Sequence, residues 1–273
     1  MKHEYSPLLR TMVDVALRCG QRMKAADVEH AAAREKSGWR DLVTEYDVRI
    51  QEFAVEQLSA AFPEARFICE EGGAGDVPAG GMTFVIDPID GTANFVHRIG
   101  HSCTSIGCVR DARPVAAAIY DVYKDELFAA EEGKGAFLNG QPIHVYEGPL
   151  SDSIVMFGTS PYNMRYADET FARVRSIFGR CQDVRRSGSA ALDLCYAAAG
   201  RVGLFFESEL SLWDYAAGAL IVREAGGVCL TLTGEPLTFD RPHKSSGIAG
   251  SVRALRESGF LPESTLASVG REP

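Results

Sequence analysis

The spacing of apolar residues predicts helices first and strands afterwards in the first half of the chain. Apolar positions recur with helical period over 6–25 and again over 47–61, where Pro63 ends the pattern. Between these helices, 30–44 is polar and predicts a loop or a short hairpin. The pattern then changes to short apolar runs typical of strands, at 67–69, 84–86, 103–109, 115–120 and 126–130. Helices followed by consecutive strands indicate an α+β arrangement.

The second half alternates between the two kinds of pattern. Strands are predicted at 154–158, 183–185, 202–206 and 228–232, and helices at 167–178, 190–199 and 214–225. This alternation is typical of α/β layering. We expect two parts, 1–150 and 151–273, which meet near Gly148-Pro149 as separate domains or as a seam within one compact body.

Composition and charge narrow the classes of function. The 273 residues are 46% hydrophobic and 24% charged, which excludes a disordered or collagen-like chain. The formal net charge of −9 disfavours non-specific binding to nucleic acid. No apolar run reaches the roughly 18 residues that cross a bilayer, and the polar N-terminus does not resemble a signal peptide. The seven cysteines are scattered without a C-x-x-C pair, so we expect reduced thiols in a cytoplasmic protein and no zinc site.

The segment from 84 to 95 carries the most informative chemistry. An apolar strand is predicted to end at Asp87, Pro88 is expected to stop further strand pairing, and Asp90 follows a turn. Together with the Ile89 carbonyl and the Thr92 hydroxyl, these carboxylates form an all-oxygen set that suits Mg²⁺, Mn²⁺ or Ca²⁺. A turn with a helix cap and no metal is the structural alternative. The haloacid-dehalogenase arrangement is disfavoured, because its two acids are separated by one residue rather than two.

Three further acidic positions could join this set. Glu70-Glu71 follows a short strand, where adjacent side chains point in opposite directions, so one of the two should face the site. Asp214 lies near the start of a helix. It could therefore be a structural N-cap with no role in metal binding. Thr44 and Asp47 precede or begin the second helix and could likewise be caps. Beside a metal, however, a hydroxyl and a carboxylate could position and deprotonate water.

These motifs together resemble the inositol monophosphatase family of Mg²⁺-dependent, lithium-sensitive phosphatases. The match consists of D-L-V-T-E-Y-D at 41–47, E-E at 70–71 with D-P-I-D-G-T-A-N-F-V-H at 87–97, and W-D-Y-A-A-G with E-A-G-G over 213–227. The segments E-G-K-G-A-F-L-N-G at 132–140 and S-G-S-A-A-L at 187–192 also resemble the family. The resemblance covers nearly the whole chain. It implies the layered αβαβα sandwich of the inositol monophosphatase and fructose-1,6-bisphosphatase type, commonly as a homodimer.

The resemblance also implies a role for each matching residue in binding two or three Mg²⁺ ions, which Mn²⁺ could replace. Glu70, Asp87 and the Ile89 carbonyl would bind the first ion. Asp87, Asp90 and Asp214 would bind the second, and Glu70 also counts among the catalytic side chains.

Other matching residues would handle water and substrate. Thr92 and Asp47, with Thr44 nearby, would orient and activate the attacking water. The Gly91 and Thr92 amides would hold the phosphate beside Asp90. The Ala190 amide and the Glu207 carboxylate would meet the substrate hydroxyls. His97 and His101 are interpreted as structural.

Departures from the family pattern concern the substrate more than the reaction. Cys69 stands where many members have Gly, Gln51 where Glu is frequent, and Ala93 where Thr is frequent, and 208–212 does not match the pattern of animal enzymes. We predict hydrolysis of a small polyol phosphate, with inositol monophosphate preferred. Histidinol phosphate, fructose 1,6-bisphosphate and 3′-phosphoadenosine nucleotides are the alternatives with the same chemistry. A regulatory or binding protein on the same fold is the alternative of another class.

Overall fold

The computed structural model describes residues 5–26, 34–38, 41–72 and 81–269, which form eight α-helices and fourteen strands. The helices are α1 (Pro7–Lys24), α2 (Glu45–Ala61), α3 (Thr92–Val96), α4 (Ala167–Phe178), α5 (Ala190–Ala198), α6 (Leu212–Glu224), α7 (Val252–Ser258) and α8 (Glu263–Val269). The strands are β1 (Arg34–Gly38), β2 (Asp41–Val43), β3 (Arg66–Cys69), β4 (Met82–Asp90), β5 (Cys103–Arg110), β6 (Arg113–Asp121), β7 (Glu126–Glu131), β8 (Gly135–Leu138), β9 (Gln141–Pro142), β10 (Ile154–Phe157), β11 (Asp183–Arg185), β12 (Leu204–Ser211), β13 (Val228–Leu230) and β14 (Lys244–Gly250).

Two sheets organise the chain. The first has seven strands in the order β3-β4-β5-β6-β7-β8-β9, with β3 parallel to β4 and the other pairs antiparallel. The second has five strands in the order β11-β10-β12-β14-β13. In it, β10 pairs parallel to β11 and β12, and β14 pairs antiparallel to β12 and β13.

Five layers result, with α5 and α6 between the sheets. Both helices contact strands of both sheets, while α1 and α2 cover the far face of the first sheet, and α4 and α7 cover that of the second. The alternating side chains of β12 reach both neighbouring layers. Phe205 packs with residues of α5 and α6, whereas its neighbours Leu204 and Phe206 pack with residues of α7 on the other face. The predicted αβαβα sandwich is confirmed. No helix in the described ranges is both long and apolar enough to cross a membrane.

Close helix packing inside the middle layer depends on a glycine. A Cβ placed on Gly218 of α6 would meet Leu194 of α5 at 2.6 Å, so only a hydrogen atom fits between the helices. Since the starts of α5 and α6 both reach the cleft described below, this contact also fixes the spacing of the residues that they carry.

Most predicted elements are present, with informative differences. Pairing along β4 does not stop at Pro88, because a register shift between Asp87 and Asp90 lets the strand pair again with Cys103 of β5. The helix predicted from Asp47 begins at Glu45, and the strand predicted at 202–206 runs from Leu204 to Ser211, so Glu207 lies inside it. The predicted polar segment 30–44 contains the β1–β2 hairpin, with 30–33 and 39–40 outside the described residues.

Candidate functional site

A cleft of about 720 Å³ lies where the ends of β3 and β4 meet the starts of α5 and α6 and the middle of β12. It gathers nine of the predicted site residues, which are Glu70, Asp87, Ile89, Asp90, Gly91, Thr92, Ala190, Glu207 and Asp214. The other two, Thr44 and Asp47, are buried next to the cleft and contact it through Thr92. The cleft is lined also by His97, which was interpreted as structural, whereas His101 is not one of its lining residues.

The end of β4 presents two carboxylates because the strand bulges at Pro88. The Ile89 N–H donates to Asp87 Oδ1 at 3.1 Å, and the Thr104 hydroxyl holds the Pro88 carbonyl at 2.9 Å. Gly91 then adopts a left-handed conformation with φ of 88°, and a Cβ there would lie 3.1 Å from two backbone carbonyl oxygens. The turn that starts α3 at Thr92 therefore requires glycine at this position.

Asp90 is fixed by the start of α5. Its Oδ2 accepts a hydrogen bond from the Ser189 hydroxyl and another from the Ala191 N–H at 2.8 Å. Burial raises the pKa of Asp90, and these donors, with the Ala190 backbone, oppose the rise. The structure thus places the Ala190 amide next to Asp90, whereas the resemblance implied that this amide meets a substrate hydroxyl.

Asp214 is the third residue of α6 rather than its N-cap. Ser211 is the N-cap, and its N–H donates to Asp214 Oδ2 at 2.6 Å, as in a capping box. The Asp214 carboxylate therefore both caps α6 and lines the cleft. Burial, followed by the charges of Asp90 and Glu70, raises the pKa of Asp214 well above its usual range.

Asp87 lies among the other three carboxylates. Burial raises its pKa well above the usual range, and the charges of Glu70, Asp90 and Asp214 raise it further. Four such groups remain ionised together only if cations neutralise them. Within the described ranges, no group of three or more Asp, Glu, His or Cys side chains is arranged so that it could hold a metal ion without some movement of the side chains.

Strand alternation separates the two adjacent glutamates as predicted. Glu70 lines the cleft. Glu71 does not line it, and its backbone N–H donates to Gln51 Oε1 at 2.9 Å while its carbonyl accepts from Gln51 Nε2. A glutamate at 51 would have no hydrogen to donate to that carbonyl, so the Gln51 departure fits this local pairing.

Thr44, Asp47 and Thr92 form a buried hydrogen-bonded group. Asp47 Oδ2 accepts from the Thr44 hydroxyl at 2.6 Å and from the Thr44 N–H at 2.7 Å, which closes the capping box of α2. Its Oδ1 lies 3.1 Å from the Thr92 hydroxyl, which is also 3.0 Å from the Ile89 carbonyl. Asp47 is thus oriented toward the cleft through Thr92.

The opposite end of the cleft contains Glu207. Its Oε1 accepts from the Ser160 N–H at 2.8 Å and from the Ser160 hydroxyl at 3.3 Å. Burial raises the pKa of Glu207 to about 7, partly offset by these bonds and by the positive charge of Arg186. A Cβ on Gly158 would overlap the Glu207 carboxylate, so this glycine makes room for it.

Sequence reasoning missed several residues at this end, including Ser160, Arg186, Asp193, Glu209 and Lys244. Asp193 is buried, accepts from the Ser187 hydroxyl at 2.5 Å, and has a pKa raised well above its usual range mainly by burial. Two signals were available: Glu209 is two residues from Glu207 in a strand, and Asp193 lies in the helix that opens with S-A-A-L. Ser160 and Lys244 gave none, because the segment after β10 and the start of β14 approach the cleft only in the folded chain.

Comparison with known proteins identifies relatives of this chain. Residues 4–263 match the inositol monophosphatase family. The protein named Nus factor SuhB in Escherichia coli (strain K12) is 37% identical over 230 residues, covering 84% of this chain and 86% of that protein. Inositol-1-monophosphatase of Rhizobium meliloti (strain 1021) is 34% identical over 255 residues, covering 92% and 96%.

A solved structure gives the same result for the fold. The staphylococcal enzyme IMPase-II with inositol monophosphate bound superposes with a TM-score of 0.77, at 28% identity, covering 96% of this chain and 98% of that one. The family match spans most of the chain, and two relatives above 30% identity share most of their length with it. The chain belongs to the inositol monophosphatase family.

Proposed function

We propose that this chain is a Mg²⁺-dependent phosphomonoesterase that hydrolyses a small polyol phosphate, with inositol monophosphate as the preferred substrate. The observation that carries the proposal is the convergence of four carboxylates on one cleft beside the Thr92–Asp47 pair, where burial and the neighbouring acidic charges raise the pKa of Asp87. Family membership supports the phosphatase chemistry, and the inositol phosphate bound to the staphylococcal relative supports the substrate class.

The donor chemistry fits divalent cations that prefer oxygen ligands. Glu70, Asp87 and the Ile89 carbonyl would hold one ion, and Asp87, Asp90 and Asp214 a second, with Mn²⁺ able to replace Mg²⁺. When bound, these ions would neutralise the carboxylates, attract the phosphate and lower the pKa of a water molecule. This neutralisation also reconciles an acidic protein with an acidic substrate.

The chain's own residues would orient the attacking water and accept its proton. Thr92 Oγ1 is placed by Asp47 and by the Ile89 carbonyl, so its position is fixed before substrate enters. Asp47, held at its other oxygen by Thr44, is the base at the end of this group. The Gly91 and Thr92 amides, which line the cleft next to Asp90, would hold a phosphate oxygen.

At the other end of the cleft, Glu207 would accept hydrogen bonds from the hydroxyls of the leaving alcohol. We expect direct in-line attack by water, without a phosphoenzyme. Histidinol phosphate, fructose 1,6-bisphosphate and 3′-phosphoadenosine nucleotides remain the alternative substrates. We also propose that the protein is a homodimer in the cytoplasm, and sedimentation velocity of the purified protein tests the dimer.

The test is phosphate release with Mg²⁺ over a panel of inositol phosphates and the alternative substrates. We expect inositol monophosphate to give the highest kcat/KM, activity to disappear on exhaustive chelation, and lithium to inhibit. Full activity after chelation contradicts the metal proposal. A higher kcat/KM on another member of the panel keeps the reaction and replaces the substrate.

The relatives named Nus factor give a second candidate, a binding role in transcription. A binding protein needs none of the buried carboxylates, whose mutual repulsion costs stability without cations. We therefore propose that catalysis is retained whether or not a partner also binds. Absence of phosphate release from the whole panel, with a transcription complex retained on the immobilised protein, would favour the binding role alone.

A further inference from the structure

The catalytic cleft shares one wall with a second pocket. The second pocket, of about 270 Å³, is lined by residues of the segment after β10, of α4 and of β14. Glu209 and Lys244 are the two residues that line both spaces among those that the structure describes. We call this pair the shared wall.

Glu209 is the ionic centre of the shared wall. Its Oε1 lies 2.8 Å from Lys244 Nζ, and its Oε2 lies 3.4 Å from an Arg165 nitrogen and accepts from Asn163 Nδ2 at 3.0 Å. The Glu209 side chain is 9% exposed, whereas Arg165 and Lys244 are 67% and 57% exposed. One buried carboxylate therefore neutralises part of the charge of two cations that reach it from solvent.

Strand geometry brings Glu209 to the cleft. The pairing of β12 with β14 shifts register between Glu207 and Leu210, so the strand bulges over this stretch. The Glu209 N–H donates to the Ser160 hydroxyl at 2.9 Å, and the same serine donates to Glu207. One loop thus holds the Glu207 carboxylate and the Glu209 backbone through Ser160, and it holds the Glu209 carboxylate through Asn163.

We propose that Glu209 is a specificity-determining residue that makes the cleft prefer esters of uncharged alcohols over esters that carry a second acidic group. This inference rests on the proposed phosphatase function. With Glu209 ionised, Lys244 and Arg165 are largely neutralised and the buried carboxylate repels another anion. Without its charge, the same two cations would attract a second phosphate or carboxylate at this end of the cleft.

The experiment uses one isosteric substitution and a matched pair of substrates. Glu209→Gln keeps the shape of the side chain and removes its charge. Its kcat/KM is compared with that of the wild type on myo-inositol 1-phosphate and on myo-inositol 1,4-bisphosphate, which differ by one phosphate. We expect the bisphosphate-to-monophosphate ratio to rise by roughly 10-fold, the size expected for a unit charge several ångströms from an anion near the protein surface. The gain should shrink at high salt.

Glu169→Gln is the matched control. Glu169 pairs with Arg173 at 2.7 Å and lines the second pocket without lining the catalytic cleft. The substitution therefore makes the same chemical change and also releases an arginine, away from the cleft. We expect it to leave the substrate ratio unchanged.

A second variant gives the opposite sign. Lys244→Gln removes a cation and leaves Glu209 charged, so the ratio should fall below the wild-type value; this variant also keeps the proposal testable if Glu209→Gln does not fold. An unchanged or lowered ratio in folded Glu209→Gln, or an equal rise in Glu169→Gln, overturns the proposal.

Failure of the proposed function gives a different result. If the wild type releases no phosphate from either compound, the ratio is measured instead as dissociation constants by calorimetry with Mg²⁺ present. The same shift between wild type and Glu209→Gln then supports the assignment of Glu209, and equal dissociation constants or no binding overturn it. If the wild type does hydrolyse the monophosphate and Glu209→Gln leaves the bisphosphate-to-monophosphate ratio unchanged, the role of Glu209 is overturned and the proposed phosphatase function stands.

Discussion

Asp87 and Asp214 at one end of the cleft and Glu209 at the other have pKa values shifted in opposite directions. At the phosphate end, defined by Glu70, Asp87, Asp90 and Asp214, burial and neighbouring carboxylates raise the pKa of Asp87 and Asp214. At the leaving-group end, burial of Glu209 is outweighed by its bonds to Lys244 and Asn163, and its pKa is lowered. Under the proposed function the first group would need cations from solution, whereas Glu209 is paired with Lys244 of the chain itself. Glu207, at the same end as Glu209, resembles the first group, because burial raises its pKa.

Asp87→Asn tests the phosphate end most strongly. The residue would bridge both ions, so we expect kcat/KM for inositol monophosphate to fall on the order of 10³-fold or more. Folding should survive, because the substitution removes one charge from a mutually repelling group. The melting temperature should rise with Mg²⁺ in the wild type and not in the variant.

The matching control for Asp87→Asn is Asp183→Asn. Asp183 is an exposed acid of β11 that pairs with Arg185 away from the cleft. The Asp183→Asn substitution should leave both turnover and the Mg²⁺-dependent rise in melting temperature unchanged. Near wild-type turnover in Asp87→Asn would remove Asp87 from the proposed metal site and end the contrast between the two ends.

The pH dependence of stability sharpens the comparison at Glu207. Burial raises the pKa of Glu207 from 4.5 to about 7. Between these values the native state holds a proton that the unfolded state has lost, so the free energy of unfolding falls as pH rises through this window. In chelator, the wild type should lose on the order of 3 kcal/mol more than Glu207→Gln between the two pH values. Parallel curves from denaturant titrations would contradict the assignment.

The phosphate end could be predicted from sequence because its contacts are mostly local. Asp214 bonds to Ser211, Asp47 to Thr44 and Asp87 to Ile89, each within three residues. Such contacts leave a motif, and the motif carries the resemblance to the family. The long-range bond from Ser189 to Asp90 was not predicted as a contact, although both residues lie in matched motifs.

The leaving-group end could be predicted only at Glu207. Ser160 and Asn163 reach β12 from residues more than forty positions earlier, and Lys244 reaches it from thirty-five positions later. The register shift that places Glu209 depends on pairing between β12 and β14, and β14 was not predicted as a strand. Side chains brought together by sheet pairing leave no short motif, which is why the shared wall was missed.

Glu207→Ala should separate alcohol recognition from chemistry. A hydrogen bond to a charged group contributes about 1.5–3 kcal/mol, so kcat/KM for inositol monophosphate should fall roughly 10- to 150-fold. An aryl phosphate without hydroxyls should lose much less. Equal, large losses on both substrates would assign Glu207 to the phosphate end instead, and little effect on either would make it a structural acid.

The smallest expected effect comes from filling the space beside Glu207. The added methyl of Gly158→Ala would overlap the Glu207 carboxylate and displace it from the Ser160 N–H. The loss in kcat/KM for inositol monophosphate should be roughly 10-fold and no larger than that of Glu207→Ala, because one hydrogen-bonding group is moved rather than removed. Gly179→Ala is the control, since a Cβ there meets nothing within 4 Å. If Gly158→Ala added its full effect to that of Glu207→Ala in the double variant, the methyl would act elsewhere than on Glu207.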